Sequence, residues 1–210
     1  MLKHITAVVS GGASGLGAAT AKHIVSNGGK VIVADLEHQL DSFEVLQRDI
    51  DDAESFERIH FCRTDVTDEN QVTCALDMAV SVYSEQVNTA VNCAGVAIAR
   101  KTLSSSRDTG ALRLHSLDEF QKTMHVNVVG TFNVARLAAE RISSREFMQD
   151  GTRGCIVSTA SISAFDGQVG QVAYSVSFYY ICIWRLQLYN CCSSHEGLHQ
   201  ICWCNGEIGE

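Results

Sequence analysis

Ser10-Gly11-Gly12-Ala13-Ser14-Gly15-Leu16-Gly17 is the stretch of this chain whose residue types and spacing most clearly suit chemistry. It follows an apolar run, Thr6 to Ser10, and opens a segment of helical character from about Leu16 to Ser26. Glycines at 11, 15 and 17 let the backbone turn tightly and approach a pyrophosphate, and the helix start offers it unpaired amides and positive dipole potential. Glycine clusters also form ordinary strand-to-helix turns, so the pattern alone leaves both readings open. Asp35 shifts the balance toward a ligand. It ends the second apolar run, 18 residues after Gly17, where a carboxylate can accept both ribose hydroxyls of an adenosine. A 2′-phosphate there would meet like charge, and no Arg or Lys follows until Arg48, so NAD is expected rather than NADP. An aspartate in an exposed loop, with no ligand, is the alternative.

The elements that must position these residues are legible as alternation. Apolar runs at Thr6 to Ser10, Val31 to Ala34, Ile59 to Cys62, Thr89 to Asn92 and Cys155 to Ser158 read as strands. Between them lie helical stretches: Leu16 to Ser26, the acidic segment around Glu44 to Phe56, Glu69 to Tyr83, and a long helix from Leu117 to Arg141. Such alternation predicts an α/β fold, a doubly wound parallel sheet of Rossmann type. Ala7-Val8-Val9 and Cys155-Ile156-Val157 are apolar at successive positions, as strands covered on both faces require. Ser116 followed by Glu119 predicts a capping box, and Phe120, Met124 and Val128 recur at helical spacing as a core face. Residues Ser104 to Gly110 read as a polar, exposed loop.

With 210 residues, 46% of them apolar, the chain suits one sizeable core. A formal charge of −8 gives no basic surface field, which argues against nucleic acid or an anionic membrane as primary partner and leaves small molecules. No apolar run reaches the roughly 18 residues needed to span a bilayer, and no cleavable presequence is expected. Of nine cysteines, Cys62, Cys74, Cys93 and Cys155 stand singly, three of them in apolar runs typical of buried free thiols. A reducing, intracellular compartment fits this usage.

Taken together, Ser10 to Gly17, Val91-Asn92-Cys93-Ala94-Gly95, Gly130-Thr131-Phe132-Asn133-Val134 and Gly167-Gln168-Val169-Gly170-Gln171 resemble the short-chain dehydrogenase/reductase family over about residues 5 to 177. The resemblance implies hydride transfer between NAD and a secondary alcohol, such as a 3-hydroxyacyl-CoA or a hydroxysteroid. It implies cofactor contacts from Gly11, Ser14, Gly15, Leu16, Gly17 and Asp35, adenine flanked by Asp65 and Val66, and Asn92, Cys93, Ala94 and Gly95 beneath the nicotinamide ribose. It places Asn127 at the family's helix asparagine, which holds a relay water, Ser161 where the substrate oxygen is polarised, and Tyr174, thirteen residues on, at the proton-transfer tyrosine. The family is commonly homotetrameric, and a mitochondrial location follows from resemblance alone, with the cytoplasm as alternative. Asn88 stands where the family usually has aspartate.

The larger departure is Phe178, which occupies the position of the family's active-site lysine. Oxidising an alcohol requires its proton to leave, and a free tyrosine with a pKa near 10 is ionised only about one part in a thousand at pH 7. Lowering that value by about three units takes roughly 4 kcal/mol, much of which a lysine one helical turn away supplies. Phe178 supplies neither charge nor hydrogen bond, and Arg185, eleven residues beyond Tyr174, lies about 16 Å from it along the helix axis. Turnover at least about a hundredfold below that of a lysine-bearing form is expected.

The expected division is therefore a C-terminally incomplete NAD-binding domain over residues 1–178 and a divergent, cysteine-rich, poorly ordered tail over 179–210. Unless the tail replaces the missing strands, it leaves the fifth strand as an apolar edge, marginally stable and prone to self-association. The tail contains His195-Glu196-Gly197-Leu198-His199 beside Cys191, Cys192, Cys202 and Cys204, a zinc-protease pattern. Gly197 disfavours the helix such a site needs, and no metal site is assigned. Two other functional classes remain open: a non-catalytic NAD-binding or interaction module, and an unproductive truncated isoform.

Overall fold

The computed structural model describes residues 2–50, 53–148, 151–192 and 198–204, with side chains described up to residue 183. The first half runs β1 (Thr6–Ser10), α1 (Gly15–Ser26), β2 (Lys30–Asp35), α2 (Leu40–Arg48), α3 (Ala53–Phe56), β3 (Ile59–Arg63), α4 (Glu69–Tyr83) and β4 (Thr89–Asn92). The second half runs β5 (Leu103–Ser105), β6 (Leu112–Leu114), α5 (Leu117–Met124), α6 (Thr131–Ser143), β7 (Gly154–Ala160), α7 (Val172–Cys192) and β8 (Leu198–Cys204).

Five strands form a parallel sheet in the order β3-β2-β1-β4-β7, and β8 lies parallel along the outer side of β7, from Gly154↔Leu198 to Ala160↔Cys204. The order reverses between β1 and β4, the signature of a doubly wound sheet. The strands are apolar on both sides because both sides are covered. Val8, Ile32 and Ile156 pack with Leu76, Ala79, Ala138 and Ile142 from α4 and α6. Ala7, Val9, Val31 and Val33 pack with Ile24 and Val25 from α1 and with Phe43 and Leu46 from α2. Each fully buried Val, Leu, Ile or Phe side chain among these contributes about 1.5–3 kcal/mol.

Several expectations change on contact with the fold. The segment around Glu44 to Phe56 is not one helix: α2 ends at Arg48 with Asp49 at its C-cap, and α3 begins at Ala53. The long helix is split by a π turn at His125–Gly130. Ser116 does cap α5, accepting from Glu119 N at 3.4 Å, but Phe120, Met124 and Val128 are only half-buried. The positions that go fully inside are Thr123, Asn127 and Gly130. The polar loop is the turn of a hairpin, with β5 antiparallel to β6, hidden from sequence because Leu112 and Leu114 are 73% and 80% exposed. The single cysteines are free, yet Cys62, Cys93 and Cys155 are half-buried and Cys74 is exposed.

Asn88 supports β4 from within. Its Oδ1 accepts from Thr6 N at 3.1 Å and from Thr89 Oγ1 at 3.0 Å, and its Nδ2 donates to His4 O at 2.5 Å. An aspartate could only accept, so the amide adds a link to the chain before β1. At the far side of the sheet α7 continues past residue 178 without a break, and β8 lies on the edge of β7 that would otherwise be open. No helix among the described residues is long and apolar enough to cross a membrane.

Ile156 is wholly buried at the middle of β7. Ile156→Ala is expected to cost about 2–5 kcal/mol, read as a lower urea midpoint at unchanged slope.

Candidate active site

The carboxyl ends of β1, β2, β3 and β4 open into a cavity of about 710 Å³. Gly11, Ser14, Gly15, Leu16 and Gly17 form one wall, Asp35 and Asp65-Val66 a second, and Cys93-Ala94-Gly95 a third. Gly17 packs so tightly that a Cβ there would run into Gly11 O, whereas Gly15 sits at φ +53° with nothing within 4 Å of its Cβ position. The turn is therefore closed on its protein side and open on its cavity side. Ser14 is the N-cap of α1 but its side chain makes no capping bond, and the first turn carries no acid. Unpaired amides and the positive end of the helix dipole thus face the cavity, an arrangement that fits a pyrophosphate.

Asp35 is fixed before any ligand arrives. Oδ2 accepts from Ala13 N at 3.0 Å and Oδ1 from Leu36 N at 2.8 Å, and the residue is buried, 9% exposed. Each oxygen retains acceptor capacity for a ribose hydroxyl. Asp65 is held likewise, its Oδ1 accepting from Thr67 N and Thr67 Oγ1 at 2.9 and 2.7 Å. Asn92 is placed differently from its expected neighbours. It does not line the cavity but is buried between strands, accepting from Ser10 Oγ at 3.4 Å and donating to Ser158 Oγ at 3.3 Å.

The second group of candidates lies where β7 leads into α7. Ser161 caps the 3-10 turn Ile162–Ala164, and its oxygen accepts from Ser163 N at 3.3 Å and Ser163 Oγ at 2.8 Å. Its own hydroxyl proton is left to donate. Tyr174, in the first turn of α7, packs half-buried with Ala164 against Ala160, Phe178 and Ile181, which sets the tyrosine helix beside the serine turn. Phe178 meets the Tyr174 ring edge-on, centroids 4.6 Å apart. The phenol therefore has an apolar ring one turn along its helix.

Asn127 joins the two groups. Its Oδ1 accepts from Val96 N at 2.8 Å, and its Nδ2 donates to Val96 O and Ser177 Oγ, both at 3.0 Å. Ser177 Oγ in turn donates to Tyr174 O at 2.8 Å. The π turn aims this side chain across to β4's exit loop, a frequent use of such widened turns. With both amide ends engaged, the side chain acts as a brace between the cavity floor and α7.

A family model described as "short chain dehydrogenase" matches residues 5–178. The chain belongs to the short-chain dehydrogenase family. It is 43% identical over 177 residues to 3-hydroxyacyl-CoA dehydrogenase type-2 of Drosophila melanogaster, covering 84% of this chain and 65% of that protein. Against the Homo sapiens protein of the same name it is 41% identical over 176 residues, covering 84% and 63%. The crystal structure of 3-hydroxyacyl-CoA dehydrogenase type-2 from Mycobacterium avium superposes with a TM-score of 0.79 at 32% identity, over 94% of this chain and 72% of that one. This chain thus spans less than two thirds of the length of the two relatives named first. Short-chain dehydrogenases typically bind a nicotinamide cofactor, and the cavity stands where such a fold holds one.

Sequence reasoning missed His38 and Gln39, which the 3-10 turn after β2 brings into the cavity wall, and Lys122 and Val126 on the far side. It also missed Ser177. The three-residue offset of Ser177 from Tyr174, one helical turn, is the signal that could have found it. The motif at His195 to His199 falls partly outside the described residues, and among the described residues no cluster suits a metal ion.

Burial pushes the Cys93 thiol up to about 11. It is therefore neutral at pH 8, and its thiolate fraction grows as pH rises toward that value. Iodoacetamide at pH 8 is expected to label exposed Cys74 before Cys93, with Cys93 labelling accelerating about tenfold per pH unit between 8 and 10. Mass spectrometry of the labelled peptides reads both rates.

Proposed function

We propose that this short-chain dehydrogenase is an NAD-dependent oxidoreductase for a secondary alcohol, a 3-hydroxyacyl-CoA or a hydroxysteroid, whose turnover is slowed by Phe178. The observation that carries the cofactor half is the pairing of an open glycine turn with a pre-positioned Asp35 across one cavity. In that reading the turn and the start of α1 receive the pyrophosphate, and Asp35 receives the adenosine ribose and repels a 2′-phosphate. NAD supplies the hydride acceptor. The names of the relatives support the alcohol class.

The substrate half rests on Ser161, Tyr174 and the cluster around them. Ser161 donates to the substrate oxygen, and Tyr174 takes its proton. The proton step is the weak one, because Phe178 contributes an apolar edge where a cation would stabilise the phenolate. Phe178 is 8% exposed in a small cluster with Ala160 and Ile181, so it holds α7 in place while depriving the tyrosine of a charge. NAD binding without turnover is the form this predicts at its limit.

NADH formation from a 3-hydroxyacyl-CoA, followed at 340 nm, tests the reading. The Phe178→Lys form is expected to exceed the unmodified chain by at least about a hundredfold. Near-UV circular dichroism and Phe178→Met, which stays apolar and adds no charge, separate chemistry from misfolding. Brisk, equal rates in all three forms would overturn it.

A further inference from the structure

The β5–β6 hairpin has two unlike faces. Leu103↔Leu114 and Ser105↔Leu112 pair on one, and the alternate pair Ser104↔Arg113 lies on the other. His115, two residues beyond Arg113, continues that second face, and its N donates to Thr102 O at 3.0 Å. This face borders a cleft of about 390 Å³ that shares no lining residue with the dinucleotide cavity. Around it stand Ser104, Arg100, Lys101, Arg113 and His115, with Glu119 as the single acid. Arg100 approaches Glu119 at 3.5 Å, whereas no ion pair engages Lys101 or Arg113 among the described residues. Both ring nitrogens of His115 are enclosed and have no hydrogen-bond partner. Three cationic side chains and an imidazole thus share one small space with one carboxylate, on a chain whose net charge is −8.

Two hydroxyls lie in the wall. Ser116 caps α5 by accepting from Glu119 N, and Ser104 makes a long contact, donating to Arg113 O at 3.4 Å. In sequence Ser104 opens the run Ser104-Ser105-Ser106, with Arg100 and Lys101 before it and Arg107 after it. A serine set between basic residues is a charge pattern that serine/threonine kinases read. The fold can present it: β5 pairs with β6 alone, and a two-stranded hairpin opens at little cost.

We infer that Ser104 is a phosphorylation site whose phosphate closes back into this cleft. On a kinase, Ser104 Oγ attacks the γ-phosphorus of ATP; the Oγ–P bond forms as the bond to ADP breaks, and the hydroxyl proton passes to the kinase's base. The phosphoserine carries a charge of about −1.5 to −2, and Lys101, Arg113 and the His115 ring stand in the same wall to receive its oxygens. The charge also draws Arg100, whose backbone N donates to Gly170 O at 2.6 Å and which forms a parallel bridge with Gln171, directly before α7. Phosphorylation therefore fastens the hairpin to the segment that leads into the tyrosine helix. The inference does not depend on which cofactor or alcohol the first cavity takes.

Measurements on the full chain test both halves. The catalytic fragment of protein kinase C with ATP is expected to place phosphate on Ser104 ahead of Ser105 and Ser106, read by tandem mass spectrometry. Phosphoserine installed at position 104 by genetic encoding is expected to titrate, by phosphorus-31 resonance, about one pH unit below phosphoserine installed at position 105 on the opposite face, where the ordinary midpoint of about 6 holds. Lys101→Gln with Arg113→Gln, both at exposed positions, is expected to abolish that difference, and Lys101→Arg with Arg113→Lys, which keeps the charges, to retain it. Hydrogen exchange at the Arg100 amide is expected to slow about tenfold when position 104 carries the phosphate and to stay unchanged when position 105 does. No phosphate on Ser104, equal midpoints at 104 and 105, or a lowered midpoint that survives loss of both charges would overturn the inference. An Arg100 amide indifferent to the phosphate would overturn the link to α7.

Discussion

The reversal of strand order between β1 and β4 is the constraint on which the rest of this structure depends. Because both β2 and β4 run parallel to β1, the connections leaving β1 and β4 go to opposite faces of the sheet, and a gap opens at the strands' carboxyl ends. The glycine turn lines one side of that gap and Cys93-Ala94-Gly95 the other. Close packing keeps them there: a Cβ on Gly11 would sit 2.7 Å from Ala94 N. The cavity is thus a consequence of topology, and the glycines are what topology demands where two exits pass each other.

The second dependence is on Asn127. Through Val96 it holds the loop after β4, and through Ser177 it reaches the backbone of Tyr174. The cavity and the start of α7 therefore share a hydrogen-bonded link, in the part of the molecule where the π turn replaces regular helix. This link does not involve residue 178. Phe178 meets the Tyr174 ring from the same helix without entering this chain of bonds.

Much of this was legible in the residues. β1, β4 and α4 have the bounds their patterns suggest, because apolar runs and helical spacing are local signals, and in the structure Asp68 closes the start of α4 by accepting from Asn70 N and Gln71 N. The glycine turn and Asp35 were legible for the same reason: backbone conformation and close approach restrict the residue type on the spot. What escaped were features set by partners far away in the chain. The bonds from Asn127 to Val96 span 31 residues, the hairpin pairs leucines that stay in solvent, and Asn92 turns inward because Ser10 and Ser158 meet it there.

The proposed preference for NAD turns on Asp35, braced by Ala13 N and Leu36 N at the switch-point cavity. Isothermal titration of the unmodified chain and of Asp35→Ala with NAD and with NADP tests it most directly. NAD is expected to bind the unmodified chain and NADP far more weakly, and Asp35→Ala is expected to lower NAD affinity by about tenfold or more through the loss of hydrogen bonds to a charged acceptor. No NAD binding to folded protein, or affinity indifferent to Asp35, would contradict it.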